Sequence, residues 1–471
     1  MGMIAPIVLA RYLSRADFGD YKQLLLLADT ATGIILLGIP VSLFYYVPRS
    51  GSSSHGLVVR SLGALMVLGV VGATLFGFAG GTLEQVFNVP FSAHLPWLIA
   101  YVAISVPSNL TYSLPIADQR AQYQAFLLIA LESGRALVLA LTAITTRSIT
   151  PLVIALVVYA ATKLLAGFFY VFVQRSEPAG ERGDPPGFIE QMRYSTTMWG
   201  AGLLTLVRDQ SHFFFVSAMF TDEQYAAYAI GTLSIPIVGH VNDAIGNVMQ
   251  VQVAGTYHTG HYDEVRRVWF RGLHNLALVL IPLFVVIEVY AHDLIVVAFG
   301  TQYADSVPIL RAYFLILLVF VPLLSSPLLK ATGDIHVHFL CDFASFVGTL
   351  ATLLVAGRYF GLPGAAVSPA LGYVAFALTA TPVAARRLRL PATAVYDIGP
   401  KARIAFWSVV ACLLPWGAMQ GLPPALRLVA GGLLSGVLWA AAAWHFRLIE
   451  ERERELIRGW LKRAAPGWLV P

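Results

Sequence analysis

The sequence predicts an all-α protein that crosses a membrane many times, and three observations support this prediction. Hydrophobic residues make up 57% of the 471 residues. Asp, Glu, Lys and Arg together make up only 12%, whereas soluble domains contain roughly 25% charged residues. The apolar residues form continuous runs along the whole chain, which excludes a soluble enzyme with one anchor, a disordered chain and a β-barrel of alternating strands.

Windows without charged residues are the clearest candidates for membrane spans. Five such windows are each long enough to cross the ~30 Å hydrocarbon core at about 1.5 Å per residue. They are Ser61–Leu83, Gln85–Ala117, Tyr359–Ala385, Ile404–Leu426 and Leu428–Phe446. Other apolar windows contain one to three ionisable groups. Together they predict about thirteen spans, near residues 20–47, 57–81, 92–116, 122–145, 150–173, 196–219, 225–250, 272–298, 309–330, 336–357, 364–385, 404–421 and 427–446.

The basic residues are distributed unequally between the two sets of loops. Of the 31 Lys and Arg residues, one set of loops and the C-terminal tail hold 21, the alternate loops hold six, and four lie within or beside spans. Cytoplasmic loops have the excess of Lys and Arg in membrane proteins. We therefore expect the loop at 174–195 and the C-terminus in the cytoplasm.

The first helix is expected to be truncated. Thirteen spans with a cytoplasmic C-terminus leave Met1 outside, yet only ten residues precede Arg11. Ten helical residues reach ~15 Å, about half a membrane. We therefore expect a fourteen-helix pattern whose first helix begins before Met1. Mass spectrometry of the N-terminal peptide of native protein tests this expectation. A peptide that starts at Met1 contradicts it.

Two pairs of segments indicate an internal repeat. Leu13–Tyr21 matches Phe220–Tyr228 at an offset of 207 residues, and Pro96–Tyr101 matches Pro308–Tyr313 at an offset of 212. The offset covers six spans, so both halves have one orientation, as in a parallel repeat. The expected segments are a six-helix N-terminal lobe at 1–175, a Pro- and Gly-rich cytoplasmic linker at 176–188, a pseudo-symmetric six-helix lobe at 189–390, two further helices at 391–446, and a basic amphipathic cytoplasmic tail at 447–471 that continues the last helix.

Two motifs carry a resemblance to a known family. Ala10–Tyr21 (ARYLSRADFGDY) resembles the segment after the first helix of oligosaccharide flippases of polysaccharide biosynthesis. Leu37-Gly-Ile-Pro and Tyr45-Tyr-Val-Pro-Arg49 resemble the end of their second helix. These flippases for O-antigen or polysaccharide repeat units belong to the multidrug/oligosaccharidyl-lipid/polysaccharide exporter (MOP) superfamily. The six-plus-six repeat and the two extra helices fit that superfamily over nearly the whole chain.

The resemblance implies a transporter rather than an enzyme. Such a flippase moves polyprenyl-pyrophosphate-linked oligosaccharide from the inner to the outer leaflet of the bacterial inner membrane by alternating access between the lobes. The product serves O-antigen, capsule or exopolysaccharide assembly. The implied partners are this lipid-linked oligosaccharide, H⁺ or Na⁺, membrane lipids, and the polysaccharide polymerase and chain-length regulator proteins, with no nucleic acid among them.

Ionisable residues inside spans are functional candidates because charge is costly in hydrocarbon. A pyrophosphate headgroup favours arginine, which binds phosphate oxygens in a bidentate manner. We therefore expect Arg208 first and Arg135 second as substrate-binding residues. Carboxylates in a wet cavity can exchange protons or Na⁺, so the expected ion-coupling residues are Asp29, Asp209 and Asp243, on helices that the resemblance places along the cleft.

Several candidates also have structural interpretations. Glu132 and Arg135 are spaced i,i+3 and can neutralise each other on one helix face. Arg208 and Asp209 are adjacent and point about 100° apart, so they are not expected to pair along one face, and Arg208 can have a structural partner on another helix. Lys163 is expected to extend its ammonium to the cytoplasmic interface.

Other function classes receive less support. A cation-coupled multidrug exporter of the same superfamily is an alternative, but the intramembrane arginines disfavour it. A membrane-embedded glycosyltransferase or polymerase usually needs a large extramembrane loop, and the longest loop here is short. The sequence contains no Walker motif and no GxGxxG in a βαβ context, so no cofactor is expected. No metal site is expected at His336, His338, Cys341 and Asp342, because residues two apart do not share a helix face.

Overall fold

The computed structural model describes residues 4–50, 54–175, 184–233, 235–257, 259–451, 453–455 and 458–459. Within these ranges the chain is helical and contains no β-strand, so the predicted all-α fold class is confirmed. The chain divides into two compact units, Met1–Ile230 and Gly231–Pro471. The lobe boundaries at 175 and 189 stay a prediction. The first three residues of the truncated first helix, most of the 176–188 linker and residues 460–471 of the tail lie outside the described residues.

The first unit is built from eleven helices among its described residues. They are α1 (Ile4–Tyr12), α2 (Arg15–Ile35), α3 (Ile39–Ser50), α4 (Ser54–Phe78), α5 (Gly80–Phe87), α6 (Phe91–Ser108), α7 (Leu110–Ala117), α8 (Ala121–Thr146), α9 (Ile149–Phe169) with a π-helical turn at Tyr170–Gln174, α10 (Phe188–Met219) and α11 (Asp222–Gly231). Helix α6 packs against α4 and α9, α2 packs against α6, and α1 packs against α8.

The second unit contains the remaining described helices. They are α12 (Pro236–Tyr257), α13 (Tyr262–Phe299), α14 (Val307–Phe314), α15 (Ile316–Leu323), α16 (Ser325–Ala331), α17 (Ile335–Thr352), α18 (Arg358–Leu388), α19 (Ile398–Ala418), α20 (Pro424–Leu426) and α21 (Gly432–His445), with short 3₁₀ turns at Thr301–Ser306 and Ala392–Ala394 and π-helical turns at Leu353–Gly357 and Arg427–Gly431. Helix α17 packs along α18, and α19 packs against α13 and α21.

The chain is a multi-pass membrane protein. In its described part, nine helical runs are long and apolar enough to cross a membrane, and α2 with α3, bent by 42°, adds a tenth. This number is lower than the thirteen spans predicted, for two reasons. The run Ile335–Leu388 counts once although Gly361, at φ +64°, breaks it into two helices. Helices α10 and α12 contain the ionisable residues Arg208 and Asp243, which lower their hydropathy.

The first motif, Ala10–Tyr21, determines how α2 begins. The Ser14 hydroxyl accepts a hydrogen bond from the Asp17 backbone N–H at 3.1 Å and so caps the helix. Asp17 lies in the first turn, where a negative charge favours the helix dipole. Gly19 follows because a Cβ there would overlap the backbone of Asp222 in α11. The segment therefore sets both the beginning of α2 and its close contact with α11.

Glycine and proline make two of the predicted spans of the first unit irregular. The span predicted at 20–47 divides at Leu36–Gly38, where Gly38 has φ +72° and a Cβ would meet the backbone of Ser195. The span predicted at 92–116 stays one run, Phe91–Ala117, with a turn at Asn109 just after Pro107. Proline removes a helical hydrogen bond, and such breaks are tolerated where they line a cavity inside the protein. Helices α3 and α7, which follow these two positions, pack together.

A buried ion pair holds the predicted cytoplasmic end of the first unit together. Arg175 binds both carboxylate oxygens of Asp118 at 3.0–3.3 Å, and the two side chains are 1% and 0% exposed. Asp118 also accepts a hydrogen bond from the Tyr170 hydroxyl at 2.9 Å, and Arg175 donates to Ser54 at 2.7 Å. These contacts tie α4 and the α7–α8 turn to the end of α9.

The second unit has an ion pair at the corresponding place. Asp334, in the turn between α16 and α17, accepts hydrogen bonds from Arg387 near the end of α18, with Nε at 2.8 Å. Arg387 also donates to the Tyr257 hydroxyl at 3.1 Å. Burial alone would raise the pKa of Asp334, but the hydrogen bonds from Arg387 and Thr332 hold that pKa below its ordinary value. The two units therefore use the same chemistry at the same step of the parallel repeat.

The described part of the tail does not continue the last helix, so that expectation is wrong. Helix α21 ends at His445, and Arg447 has φ +52°, which turns the chain. The Leu448 carbonyl then accepts a hydrogen bond from His274 Nε2 of α13 at 2.7 Å. The tail thus begins by folding back onto its own unit.

Arg175→Ala should strongly destabilise the first unit, because it leaves the Asp118 carboxylate buried without its cation. We expect the free energy of unfolding to fall by about 3–5 kcal/mol, measured by denaturation of the detergent-solubilised protein. Asp263→Ala is the control, because it removes an exposed i,i+3 partner of Arg266 at 3.3 Å, and we expect a change of at most about 1 kcal/mol. Equal stability of the two variants would contradict the role of the buried pair.

Candidate functional site

A polar cavity lies among the helices of the first unit. Its volume is about 260 Å³, and it is lined by Asp29, Thr32, Gly33, Leu36, Tyr101, Ser105, Ser108, Asn109, Glu132, Arg135, Tyr159, Ala160 and Lys163. Helices α2, α6, α8 and α9 supply its ionisable and hydroxyl groups. A cavity of this composition within apolar helices can hold water and a charged ligand group.

Helical spacing brings these polar groups onto facing sides of the helices. Glu132 and Arg135 are three residues apart on α8, and Tyr159 and Lys163 are four apart on α9, so each pair lies on one face. On α6 the polar stripe consists of Tyr101, Ser105 and Ser108, at the i, i+4, i+7 spacing of one helix face. This stripe lies in a window without charges, where hydropathy alone does not reveal it.

Hydrogen bonds from tyrosines hold both carboxylates of the cavity. The Tyr101 hydroxyl donates to Asp29 Oδ1 at 2.9 Å. The Tyr159 hydroxyl donates to Glu132 Oε1 at 2.5 Å, and the Tyr112 hydroxyl donates to the same oxygen at 3.2 Å. These bonds fix the carboxylates while leaving their charge to be balanced by cations.

The two cations of the cavity are held less tightly than its carboxylates. Arg135 Nη1 lies 3.7 Å from Glu132 Oε2, beyond hydrogen-bond distance, and its guanidinium lies 5.2 Å from the centre of the Tyr159 ring. Lys163 Nζ lies 4.4 Å from the centre of the Tyr112 ring. Aromatic faces attract cations without occupying all of their hydrogen-bond donors, so both cations can turn to an anionic ligand.

Two further cavities of the first unit adjoin the polar cavity. A cavity of about 170 Å³ shares Glu132 and Arg135 with it and extends to Lys22 on α2 and to α1. A largely apolar groove of about 500 Å³ shares Gly33, Leu36 and Asn109 with it and extends along α3, α7 and α10. The shared lining residues place the three cavities in series, with the charged groups in the middle.

The structure brings together only two of the five predicted site residues. Asp29 and Arg135 both line the polar cavity. Asp243 is exposed on α12 in the second unit. Arg208 and Asp209 are on α10 and are not among the residues lining the three cavities described above. The roles of these residues in binding and coupling stay predictions.

Arg208 and Asp209 do form an ion pair, so the expectation that they would not pair is wrong. Arg208 Nε donates to Asp209 Oδ1 at 2.9 Å, with the side chains 8% and 49% exposed. The angle between adjacent Cβ atoms does not prevent this contact, because the long arginine side chain bends back to its neighbour. By contrast, the expected i,i+3 pair of Glu132 and Arg135 is confirmed, although at 3.7 Å.

Sequence reasoning missed two cations and the tyrosines. Lys163 was expected at the cytoplasmic interface, but its ammonium lies over Tyr112 beside the polar cavity, because that ring and cavity lie within its reach. Lys22 was not among the predicted site residues, yet it belongs to α2 and lines the adjoining cavity. The i,i+4 spacing of Tyr159 and Lys163 was the available signal for this face.

The described residues contain no group of three or more metal-ligand side chains that could hold an ion. In the His336–Asp342 segment, His338 Nδ1 lies 3.1 Å from Asp342 and its Nε2 lies 2.7 Å from the Ser326 hydroxyl. These contacts give His338 a structural role in the second unit.

A family model described as polysaccharide biosynthesis protein matches residues 1–237, about half of the chain. The chain belongs to this family. The resemblance predicted from the motifs at Ala10–Tyr21 and Leu37–Arg49 is thereby confirmed. No curated protein sequence matches the chain.

Several solved structures have the same fold as this chain. The lipid II flippase MurJ in an inward closed conformation matches with a TM-score of 0.73 and 12% identity over 95% of this chain and 97% of that one. An inward-facing multidrug resistance MATE family transporter matches with a TM-score of 0.67 and 12% identity, covering 85% and 96%. A MOP superfamily transporter from Pyrococcus furiosus, with a binding pocket of reverse polarity, matches with a TM-score of 0.59 and 12% identity, covering 82% and 91%.

Tyr159→Phe should destabilise the protein, because Glu132 loses its shortest hydrogen bond inside the membrane-spanning helices. We expect the free energy of unfolding to fall by about 1 kcal/mol, the usual size for such bonds in membrane proteins. Thermal unfolding in detergent measures this change. Tyr359→Phe, at an exposed position of α18, is the matched control, and equal melting temperatures would show that the Tyr159–Glu132 bond contributes nothing.

Proposed function

We propose that this protein is a flippase that moves polyprenyl-pyrophosphate-linked oligosaccharide from the inner to the outer leaflet of the bacterial inner membrane by alternating access. The observation that supports this proposal best is the pair of cations, Arg135 and Lys163, in a hydroxyl-lined cavity of a polysaccharide biosynthesis family member. The likeness of the fold to that of a lipid II flippase is in keeping with a lipid-linked substrate.

The polar cavity suits the headgroup of such a substrate. The Arg135 guanidinium presents several donors in a plane, which matches two phosphate oxygens, and the Lys163 ammonium adds a compact charge. Hydroxyls such as those of Ser105 and Ser108 both donate and accept hydrogen bonds, as sugar hydroxyls require. Ionisable residues inside membrane-spanning helices are costly, and for that reason they mark functional sites. Transport needs only this reversible binding, so the proposal includes no catalytic step.

The charges of the cavity suggest how binding is coupled to an ion. Asp29 and Glu132 balance Arg135 and Lys163 when all four are ionised. An incoming pyrophosphate therefore competes with the carboxylates for the cations. A proton or Na⁺ on Asp29 removes one competitor and strengthens phosphate binding. This exchange links H⁺ or Na⁺ occupancy to substrate occupancy.

The remaining predicted residues belong to the same proposal. Arg208, buried on α10, would supply a second phosphate contact once its bond to Asp209 opens. Asp209 would then exchange an ion, as would the exposed Asp243 on α12. At the outer leaflet, the polysaccharide polymerase and chain-length regulator proteins would receive the product for O-antigen, capsule or exopolysaccharide assembly.

A strain that lacks this protein should accumulate complete lipid-linked units on the inner leaflet. A membrane-impermeant glycan-modifying probe, applied to right-side-out and inverted vesicles, measures their location. Units that reach the outer leaflet normally would overturn the flippase assignment. Drug export, the alternative within the superfamily, would then be measured. A failure to assemble the units would instead indicate an enzyme of the pathway.

Complementation of that strain tests the cavity itself. Arg135→Gln and Lys163→Gln should each lower delivery to the outer leaflet by roughly tenfold, since each removes a contact of at least about 1.4 kcal/mol to phosphate. Arg135→Lys should restore delivery only in part, because it cannot bind in a bidentate manner. Arg403→Gln, at an exposed position of α19, is the matched control. If Arg135→Gln, present at the wild-type protein level, delivers lipid-linked units to the outer leaflet normally, Arg135 does not bind the substrate.

A further inference from the structure

An apolar groove lies beside the polar cavity. It follows the α2–α3 break, α7 and α10, and we define it by Leu36, Val41, Phe44, Ile116, Trp199 and Leu206. Several of its large apolar side chains, including Val41, Phe44 and Ile116, are exposed. The groove is therefore open along part of its length. Its volume is about 500 Å³, and its lining is largely apolar.

Three glycines give the groove its shape. Gly38, at φ +72°, lets the α2–α3 junction approach the backbone of α10. At Gly33 a Cβ would lie 3.3 Å from the Leu206 side chain, so the wall is tight at this point. At Gly202 a Cβ would meet nothing within 4 Å, although Gly202 lines the groove. The floor at Gly202 is therefore open space that a larger side chain would fill.

The groove and the polar cavity form one amphipathic site. They share Gly33, Leu36 and Asn109, so an apolar channel leads directly to the cavity that contains Arg135 and Lys163. The surrounding elements adjoin predicted cytoplasmic loops, since α3 ends just after Arg49 and α7 ends just before Arg120. On the predicted topology, the groove therefore lies in the half of the membrane where the lipid-linked unit is made.

We propose that the apolar groove binds the isoprenoid chain of the lipid carrier while its phosphates lie in the polar cavity. This inference rests on the proposed function and adds to it the place where the chain binds. Phe44, Ile116 and Trp199 offer van der Waals contacts that replace those of an apolar chain with lipid, and the cations at one end complement the phosphates.

The connectivity of the site favours an isoprenoid chain over a phospholipid. A polyprenyl pyrophosphate joins its phosphates directly to one chain, as the single groove and the adjoining cations require. A phospholipid places glycerol between its phosphate and two chains, and its second chain would need another groove. The site thus matches one chain with a phosphate at its head.

Photoaffinity labelling tests the position of the chain. The probe is farnesyl pyrophosphate with a benzophenone in its chain, bound to the full-length protein in lipid nanodiscs and mapped by mass spectrometry. We expect adducts within 33–44 and 198–206 that geranylgeranyl pyrophosphate suppresses and phosphatidylglycerol does not. Equal suppression by phosphatidylglycerol would overturn the proposal, because the groove would then be a general lipid site.

The map also separates this inference from the function on which it rests. Suppressible adducts elsewhere in the protein would overturn the groove assignment while leaving the flippase proposal intact. The absence of any suppressible adduct would overturn both.

Gly202→Leu fills the groove and gives a second test. We expect it to lower probe labelling and outer-leaflet delivery by roughly tenfold, while binding of inorganic pyrophosphate at the polar cavity stays unchanged. Gly200→Leu is the matched control, because a Cβ at Gly200 also meets nothing within 4 Å and Gly200 does not line the groove. Wild-type labelling and delivery in Gly202→Leu would overturn the proposal. If that variant does not fold, Met198→Trp fills the same groove from an exposed position.

Discussion

The neutralisation of charges inside the first unit is the constraint on which its architecture depends. Asp29, Glu132, Arg135 and Lys163 come from three helices and meet in one cavity. An isolated charge at this depth costs several kcal/mol, so the helices must pack in the arrangement that balances all four. The tyrosines of α6, α7 and α9 complete this balance by donating hydrogen bonds to the carboxylates. The polar cavity is therefore both the proposed binding site and the place where the charges of the first unit are neutralised.

Irregular positions in the helices create the space that this cluster needs. Continuous helices packed on all sides leave little room for a ligand. At Gly38 the chain bends by 42° between α2 and α3, whereas Pro107 precedes a turn at Asn109 inside the single run Phe91–Ala117. The polar cavity and the apolar groove meet near these positions, because Gly33, Leu36 and Asn109 line both of them. The residues that weaken two helices thus produce an amphipathic site.

An aspartate–arginine ion pair lies at the predicted cytoplasmic end of each unit. In each unit an aspartate in a helix turn binds an arginine near the end of a later helix, 57 residues away for Asp118 and 53 for Asp334. Asp118 precedes the positive-φ residue Gln119, whereas Asp334 follows the positive-φ residue Gly333. Arg387 follows Arg175 by 212 residues, the offset of the second matched pair of segments, whereas Asp334 follows Asp118 by 216. The same contact is therefore reached from two local geometries of the aspartate.

The sequence by itself determined the fold class, because apolar runs without charges have one stable form in a bilayer, in which every backbone polar group is paired within helices. It also determined the family, through the motifs of α2 and α3, and the Glu132–Arg135 pair, which needs only the spacing of one helix. Tertiary structure alone decided which charges meet. Tyr101 reaches Asp29 across 72 residues, and Lys163 and Lys22 join the cavities because of how α9 and α2 pack. Arg208 turns to its neighbour Asp209, because a flexible side chain settles on the partner within its reach. Contacts between distant helices depend on packing that no local pattern encodes.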